Sequence, residues 1–369
     1  MTDDAASNVA PPEMMQAVEY ISRHHLANVI SISDGTAEST YSHGQEEITA
    51  QDPGELTAAA AGIPVLVGTG DCDAAQNLAV ANGQCEDITK TRATAAWDDC
   101  PWVTAVGGTF PNFNVKGERL GLDQLWNEGG QFGEGAGYSQ VFSRPGYQDR
   151  VTSITRSDMR SVPDITMDAS DGTSESGPLL AGVLALATQL NHGRNVGPIN
   201  NVLYGTLGPR GMKAGIADVV SGNNSVVKNG KVIIKGFTAT KGFDVASGWG
   251  TIRANRFVPS LVAATFAQHQ DRAVRLRAAA ALSRLEHGIR LTRADAGAGG
   301  TGRMSDGGFL PLHPVSLLIE NHLIKILHAS AQGSVSYVID PKSLGLAPGR
   351  HTLKLVSMLL TATISFRST

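Results

Sequence analysis

The chain has 369 residues, of which 41% are hydrophobic and 17% are charged, and its formal net charge is −4. This composition is typical of an ordinary globular protein, and it gives no electrostatic basis for binding nucleic acid or an anionic membrane surface. The sequence has no apolar run as long as the roughly 18–20 residues of a membrane span. The N-terminal residues have neither the basic nor the apolar region of a secretory signal, so we predict no signal peptide in this chain.

The N-terminal part of the chain alternates between helical and strand-like patterns. Apolar residues recur at helical spacing in the longer stretches, whereas the short stretches between them are continuous apolar runs that end at glycine or aspartate. Helices that alternate with buried strands predict an α/β fold, in which a parallel sheet is flanked by helices. In chain order, the predicted elements are residues 13–26, 28–33, 52–61, 63–67, 102–106 and 178–190.

The C-terminal part has a different pattern. Residues 263–309 begin as an Ala- and Arg-rich helical stretch and continue, at residues 294–308, as a polar Gly-rich run that predicts a linker. Residues 310–369 contain strand-like runs, two of which are separated by turn residues. We therefore predict a small all-β sandwich after a first domain that covers residues 11–262. The strand-like runs are residues 315–320, 334–339, 351–356 and 361–366.

The chain has three cysteines, Cys72, Cys85 and Cys100. They show no CxxC spacing and no nearby histidine cluster, which argues against a zinc site. We expect ordinary buried or loop cysteines. If a disulfide forms, the odd count leaves one thiol outside it, and the sequence leaves the pairing open.

A serine stands at the start of the predicted apolar helix, in Gly172-Thr-Ser-Glu-Ser-Gly-Pro178. Backbone amides at a helix N-terminus stabilise developing negative charge, so Ser174 is a candidate nucleophile. The alternative interpretation is an ordinary helix cap, because serine and threonine are common at that position. The pattern Gly-Thr-Ser-x-x-x-Pro is shared by two families of serine peptidases, the subtilisins and the sedolisins.

A second segment distinguishes between these two families. The strand-like stretch Gly62-Ile-Pro-Val-Leu-Val-Gly-Thr-Gly-Asp71 resembles the sedolisin strand whose final aspartate replaces the asparagine of the subtilisin oxyanion hole. A subtilisin would also need a His-Gly-Thr helix start, whereas His43-Gly44 is followed by Gln45. Three more stretches match sedolisin patterns in the same order, so most of residues 13–262 resembles the sedolisin family of serine-carboxyl peptidases. They are residues 101–109, 137–148 and 160–169.

The resemblance implies a subtilisin-like fold and acid-pH endopeptidase activity on polypeptide substrates, in a secreted protein. It implies that Ser174 is the nucleophile and that Asp71, when protonated, donates a hydrogen bond to the oxyanion. It also implies a glycine-rich edge at Gly129, Gly130 and Gly133, where exposed backbone pairs with an extended peptide. The resemblance gives no expectation for the oligomeric state.

The resemblance further implies a calcium site on two loops. Residues 216–224 and 239–250 resemble the two calcium-binding segments of the family. By that match the ligands are oxygens of two aspartates and three backbone carbonyls, a set that suits Ca²⁺. They are the carboxylates of Asp218 and Asp244 and the carbonyls of Val219, Thr240 and Gly242.

One family feature is missing from the sequence. Sedolisins activate their serine with a glutamate that is oriented by an aspartate four residues later on one helix face, and no glutamate here has aspartate at that position. We therefore expect that the peptidase domain is incomplete at its N-terminus and that catalysis is impaired. The alternative expectation is a non-catalytic, calcium-bound homologue that binds peptides.

Overall fold

The structure is a computed structural model. Its residues form two compact units, one of residues 1–44 and 54–275 and the other of residues 45–53 and 276–369. The structure describes residues 11–41, 48–49, 52–78, 85–116, 118, 120–130, 132–267, 290–291, 302–307, 314–320, 322–328, 334–340, 342–357 and 360–368.

The first unit is built around a five-stranded sheet. Strands β1, β2, β3 and β7 run parallel in that spatial order, and β4 adds antiparallel to the far end of β3. The strands of this unit are β1 (Ile30–Ile32), β2 (Val65–Gly68), β3 (Thr104–Phe110), β4 (Gln124–Leu125), β5 (Gly137–Ser143), β6 (Met159–Val162), β7 (Ile165–Asp168), β8 (Ile216–Ala217), β9 (Val226–Lys228), β10 (Lys231–Ile234) and β11 (Thr251–Ile252).

Helices flank this sheet, which confirms the predicted α/β fold class. The long helix that starts at the candidate serine packs on β1, β2, β3 and β7 and against the last helix of the unit. As far as the structure describes them, the helices are α1 (Pro11–Arg23), α2 (Asp52–Ala61), α3 (Thr152–Thr155), α4 (Thr173–Leu190), α5 (residues 200–210, with a π-helical turn at Leu203–Leu207) and α6 (Ala254–Ala267).

The core follows from the apolar patterns of these elements. All four residues of β2 are buried, as expected for a parallel strand that is covered on both faces. Side chains from the sheet and from helices α4, α5 and α6 meet in one cluster, whose burial supplies the main driving force for folding. Its members include Leu66, Val106, Ile165, Leu180, Leu184, Leu203, Leu207, Phe257 and Leu261.

The second unit contains antiparallel sheets. One has the order β12-β13-β16 and the other the order β15-β14-β17-β18. Buried side chains of β14, β16 and β17 share a hydrophobic cluster. The strands are β12 (Arg290–Leu291), β13 (Gly302–Gly307), β14 (Pro314–Ile319), β15 (His322–His328), β16 (Ser334–Ile339), β17 (Gly349–Ser357) and β18 (Leu360–Ser368).

These strands agree with the sequence analysis only in part. The four predicted strand-like runs coincide with β14, β16, β17 and β18. The predicted linker, by contrast, includes strand β13. The sequence of β13 is polar and Gly-rich without apolar alternation, yet the strand pairs with β16 along its whole length. An immunoglobulin-like sandwich over residues 310–369 stays a prediction, and so does the domain boundary near residue 262. Most of residues 268–301 lies outside the described part of the chain.

Two of the three cysteines differ from the expectation of ordinary buried or loop cysteines. Cys72 and Cys85 form a disulfide, while Cys100 is buried and stands outside it. The bridge closes the loop that follows β2, so two segments separated by 13 residues are held together. Among the described helices, none combines the length and the apolar character needed to cross a membrane.

A buried ion pair ties together the region behind the sheet. Arg160 and Asp164 are both fully buried, and two guanidinium nitrogens donate to the two carboxylate oxygens at 2.9 and 2.7 Å. Asp164 also accepts hydrogen bonds from the Ala105 amide, the Asn200 side chain and the Tyr204 hydroxyl. Because several elements converge on this carboxylate, removing it leaves a buried cation and several donors unpaired.

We expect Asp164→Ala to lower the free energy of unfolding by about 3–5 kcal/mol, the usual effect of breaking a buried ion pair. The matched control is Asp158→Ala, which removes an almost fully exposed carboxylate from its pair with Arg144 and should cost about 1 kcal/mol or less. Urea unfolding followed by circular dichroism measures both. Equal midpoints for the two variants would show that the Asp164 network does not hold this region together.

Candidate active site

Three chain segments meet at the carboxyl edge of the parallel sheet. The residues after β1, the residues after β2 and the first residues of α4 line a common cavity of about 200 Å³. The carboxyl ends of neighbouring parallel strands lie at one edge of a sheet, which is where α/β proteins bind ligands. The lining residues are Ser33, Asp34, Gly35, Gly68, Gly70, Asp71, Gln76, Asn77, Ala95, Thr173 and Ser174.

The carboxyl group of Asp71 is fixed at the start of α4. Its Oδ1 atom accepts hydrogen bonds from the amide and the hydroxyl of Thr173, at 2.8 and 2.7 Å. The Thr173 hydroxyl in turn accepts from the Gly70 amide at 3.2 Å. Gly172 lies between these groups with a φ of +78°, and a Cβ there would come within 2.7 Å of Asp71 Oδ2, so glycine is needed at this position.

Ser174 lies in the first turn of α4 with an exposed side chain. Pro178 has no backbone N–H, so the Ser174 carbonyl lacks its normal helical donor. The hydroxyl of Ser33, just after β1, donates to that carbonyl instead, at 3.3 Å. This hydrogen bond connects the first turn of α4 to the residue that follows β1. Within the described part of the chain, no carboxylate or imidazole is hydrogen-bonded to Ser174 Oγ.

Two more carboxyl groups lie behind Asp71. Glu134 is completely buried and accepts hydrogen bonds from the Thr69 hydroxyl at 3.0 Å and from the Gly108 amide. Burial raises the pKa of Glu134 to about 8, and the charges of Asp71 and Asp73 contribute in the same direction. Burial also raises the pKa of Asp73 to about 7, although a hydrogen bond from Asn127 opposes the increase. The region behind the site is therefore acidic and holds protons at neutral pH.

Asp71 also lines a second cavity of about 290 Å³. Its wall combines two aromatic rings with acidic side chains, and the Trp126 indole N–H donates to Glu128 at 3.3 Å. Asp71 therefore lines two separate cavities. The second cavity is lined by Asp71, Trp126, Glu128, Phe132, Ser170, Asp171 and Gly172.

The three glycines of the predicted peptide-binding edge do not line the cavity that contains Ser174. Gly133 is buried, its N–H donates to the Asp71 carbonyl, and its carbonyl accepts from the Asp73 amide. Gly133 therefore packs the turn behind Asp71, because both of its backbone groups are used inside the protein. Gly130 approaches the backbone of Val227 so closely that a Cβ would collide with it, whereas Gly129 is exposed.

The two predicted calcium loops lie next to each other. The Gly242 amide donates to Asp218 Oδ2 at 2.9 Å, and the Thr240 amide donates to Asp244 Oδ2 at 2.6 Å. The other oxygen of Asp244 accepts from the amides of Ala246 and Ser247. Burial raises the pKa of Asp244 to about 6. Asp218 Oδ1 is buried and accepts no hydrogen bond from the described residues, as expected for an oxygen that faces a cation.

No family model matches the chain. Tripeptidyl-peptidase 1 of Bos taurus is 30% identical over 183 residues, which is 41% of this chain and 30% of the relative. Sedolisin of Pseudomonas sp. (strain 101) is 26% identical over 273 residues, which is 68% of this chain and 43% of the relative. The solved structure of Pseudomonas sedolisin, complexed with two molecules of pseudo-iodotyrostatin, superposes with a TM-score of 0.60 at 25% identity, covering 71% of this chain and 72% of that one.

The chain is therefore similar to sedolisin-family peptidases in sequence and in fold. This confirms the resemblance that the sequence motifs predicted, and the similarity to a serine-carboxyl peptidase lies in the first unit. The match covers less than a third of tripeptidyl-peptidase 1 and less than half of full-length sedolisin.

Sequence analysis missed two residues of the site. Asp34 follows a buried strand and precedes a glycine, which is a signal for the ligand-binding edge of an α/β sheet. Glu134 has no such signal, because a lone glutamate in a Gly-rich stretch is normally exposed. Only the fold brings it beneath Gly107 and Gly108.

The buried Glu134 gives a prediction about pH. Its pKa in the folded state is above the ordinary value of 4.5, so the folded state binds a proton that the unfolded state releases. The stability that this group contributes is fully present below about pH 4.5 and is lost as the pH rises toward about 8. We expect Glu134→Gln, which stays neutral, to show a smaller loss of stability over that range.

Chemical denaturation at pH 5 and at pH 8 measures this difference. Glu118→Gln is the control, since Glu118 lies in an exposed turn and its hydrogen bond to Asn114 is at the surface. Equal pH dependence in wild type and Glu134→Gln would show that Glu134 does not carry a proton in the folded protein near neutral pH.

Proposed function

We propose that the first unit carries the endopeptidase site of an acid-acting serine-carboxyl peptidase, with Ser174 as nucleophile and Asp71 as oxyanion stabiliser. The observation that carries this proposal is that both residues line one cavity at the N-terminus of α4. Similarity to tripeptidyl-peptidases and sedolisin supports polypeptides as the substrates. The Ser174 hydroxyl attacks the peptide carbonyl, and negative charge develops on the carbonyl oxygen within reach of the helix amides.

The hydrogen bonds of Asp71 support its role. Both donors from Thr173 are directed at Oδ1, so they fix the orientation of the carboxyl group at the start of α4. A neutral carboxyl donates a hydrogen bond to the oxyanion, whereas a carboxylate repels it. Oxyanion stabilisation by Asp71 therefore requires the neutral form of its carboxyl.

The proposed site shows no proton acceptor for the Ser174 hydroxyl among the described residues. Among the described residues no carboxylate contacts the hydroxyl, and the sequence contains no glutamate with aspartate four residues later. A serine without its base retains what the oxyanion hole and substrate binding supply, and removal of triad members costs factors of about 10⁴–10⁶ in rate. We therefore propose that this chain alone hydrolyses peptides slowly. A non-catalytic peptide-binding role is the second candidate function, because no carboxylate of the described residues is hydrogen-bonded to the Ser174 hydroxyl.

The Cys72–Cys85 disulfide supports a secretory location. Disulfides persist in oxidising compartments outside the cytosol. Secretion also agrees with the resemblance to sedolisin-family peptidases.

The test of the site is slow peptide hydrolysis measured from pH 3 to pH 8. We expect low activity at acid pH that disappears in Ser174→Ala and persists in the control Ser153→Ala, whose serine is exposed on α3. In Asp71→Asn the amide donates at every pH, so the remaining activity should no longer fall as the pH rises.

Two results would contradict this assignment. Hydrolysis that survives in Ser174→Ala would exclude Ser174 as the nucleophile. An unchanged pH profile in Asp71→Asn would exclude the oxyanion role of Asp71. Binding of peptides without any Ser174-dependent hydrolysis would favour the non-catalytic candidate.

We also propose that the loops at residues 218–219 and 240–244 bind Ca²⁺. The buried oxygen of Asp218 and the adjacent carboxylate of Asp244 fit a hard cation, and the carbonyls of Val219, Thr240 and Gly242 complete an oxygen set. The ion would offset the charges of the two carboxylates and would hold both loops, which precede and follow the β9–β10 hairpin.

We expect Ca²⁺ to raise the melting temperature, because a ligand that binds only the folded state contributes about 2.7 kcal/mol at a hundredfold excess over Kd. Thermal melts with Ca²⁺ and with a chelator measure the shift. Asp218→Asn should abolish it, and Asp149→Asn, which alters an exposed carboxylate, should not. Identical melting of wild type in both conditions would contradict the calcium site.

A further inference from the structure

The first cavity has a charged wall that the catalytic proposal does not use. We propose that Asp34 makes this cavity selective for a cationic side chain, so that the chain holds peptides with arginine or lysine next to the bond presented to Ser174. This inference rests on the proposed function, because it takes Ser174 as the position of the reacting bond.

The position of Asp34 follows from the sheet. β1 and β2 are parallel neighbours, with Ile32 paired to Val67, so Asp34 and the Gly68–Asp71 turn leave the sheet at the same edge. The cavity between them contains Ser174 and Asp71 in its wall, together with Asp34. A substrate whose carbonyl lies at Ser174 and Asp71 therefore has the cavity directly beside it, within reach of an adjacent side chain.

The size of the cavity limits what it can hold. Its volume of about 200 Å³ is below the roughly 300–1,000 Å³ of typical small-molecule sites. Three glycines in the wall keep it open, while Gln76 closes it near Gly70, where a Cβ would lie 2.5 Å from the glutamine side chain. These dimensions suit one extended side chain rather than a larger ligand.

The charge of the cavity selects among side chains. Asp34 and Asp71 are the titratable residues among the described groups that line it, and no lysine, arginine or histidine is among them. Asp34 is half-buried, and the Gly35 amide, at 2.7 Å, is the donor that the structure shows for its carboxylate. Burial raises the pKa of Asp34, which means that the carboxylate is partly desolvated without a compensating cation.

A guanidinium or ammonium group would supply that cation. It would form a charge-assisted hydrogen bond with Asp34 in a confined space, where such bonds are stronger than in water. The neutral hydroxyl and amide groups of Ser33, Gln76 and Asn77 supply further polar surface for its remaining hydrogens. A carboxylate-bearing side chain would be repelled, and an aliphatic one would shield the Asp34 carboxylate from water without supplying a positive charge.

The experiment measures binding separately from catalysis, with Ser174→Ala in the full chain. Two labelled peptide amides are compared that differ only in arginine against citrulline, which has nearly the same shape without the charge. Fluorescence polarisation at pH 6 gives both Kd values. We expect the arginine peptide to bind about tenfold more tightly, the usual effect of one hydrogen bond to a charged group.

Three further variants, each made on Ser174→Ala, locate the effect. Asp34→Asn should remove the preference, and Asp34→Glu, which keeps the charge, should retain most of it. The matched control is Glu128→Gln, which neutralises a carboxylate of the second cavity and should leave the preference unchanged. Thermal melts of each variant show whether it is folded.

The outcomes separate this inference from the proposed function. Equal Kd values for the two peptides in the Ser174→Ala parent, no binding of either, or a preference that survives in folded Asp34→Asn would each overturn the inference. A preference that depends on Asp34, in a chain that shows no Ser174-dependent hydrolysis, would support the inference while the proposed catalysis fails. If Asp34→Asn, made separately in the wild-type background, slowed hydrolysis of both peptides equally and kept the preference, Asp34 would act on Ser174 and not on specificity.

Discussion

The arrangement of the site depends on one contact, the pair of hydrogen bonds from Thr173 to Asp71 Oδ1. This contact joins the end of β2 to the first turn of α4, so the carboxyl group and the serine keep a fixed relation whatever the surrounding loops do. It also orients the carboxyl, because two donors hold one of its oxygens. The glycine at position 172 allows this approach, since a side chain there would displace the carboxyl.

Sequence reasoning predicted the parts of the fold that local patterns encode. Helix α2 has the predicted limits at residues 52–61, and β16 has the predicted limits at residues 334–339. Sequence reasoning failed for a strand that forms because a partner strand pairs with it and not because of its own apolar pattern. The stretch at residues 302–307 is polar and Gly-rich, yet β16 provides a partner for it, and no single-sequence period reveals such a partner.

The same distinction applies to the site. Ser174 and Asp71 stand in segments with recognisable order, so the sequence could place them together. Asp34 enters the cavity only because β1 and β2 are neighbours in the sheet, and Glu134 is buried only because a distant loop covers Gly107 and Gly108. The glycines expected to bind peptide show a second limit of sequence patterns. A Gly-rich stretch indicates close backbone approach, but it does not say whether the approaching group is a substrate or, as at Gly133, another turn of the same chain.

The acidic surroundings of Asp71 connect stability with function. Burying the carboxyl groups of Glu134 and Asp73 is costly while they are charged, because a medium of low dielectric disfavours the charged form. Raised pKa values for both groups are the structural consequence, and they favour the folded state at low pH. An oxyanion carboxyl that must be neutral to donate has the same requirement. The buried groups around Asp71 therefore stabilise the fold in the same acid range in which the oxyanion role proposed for Asp71 would operate.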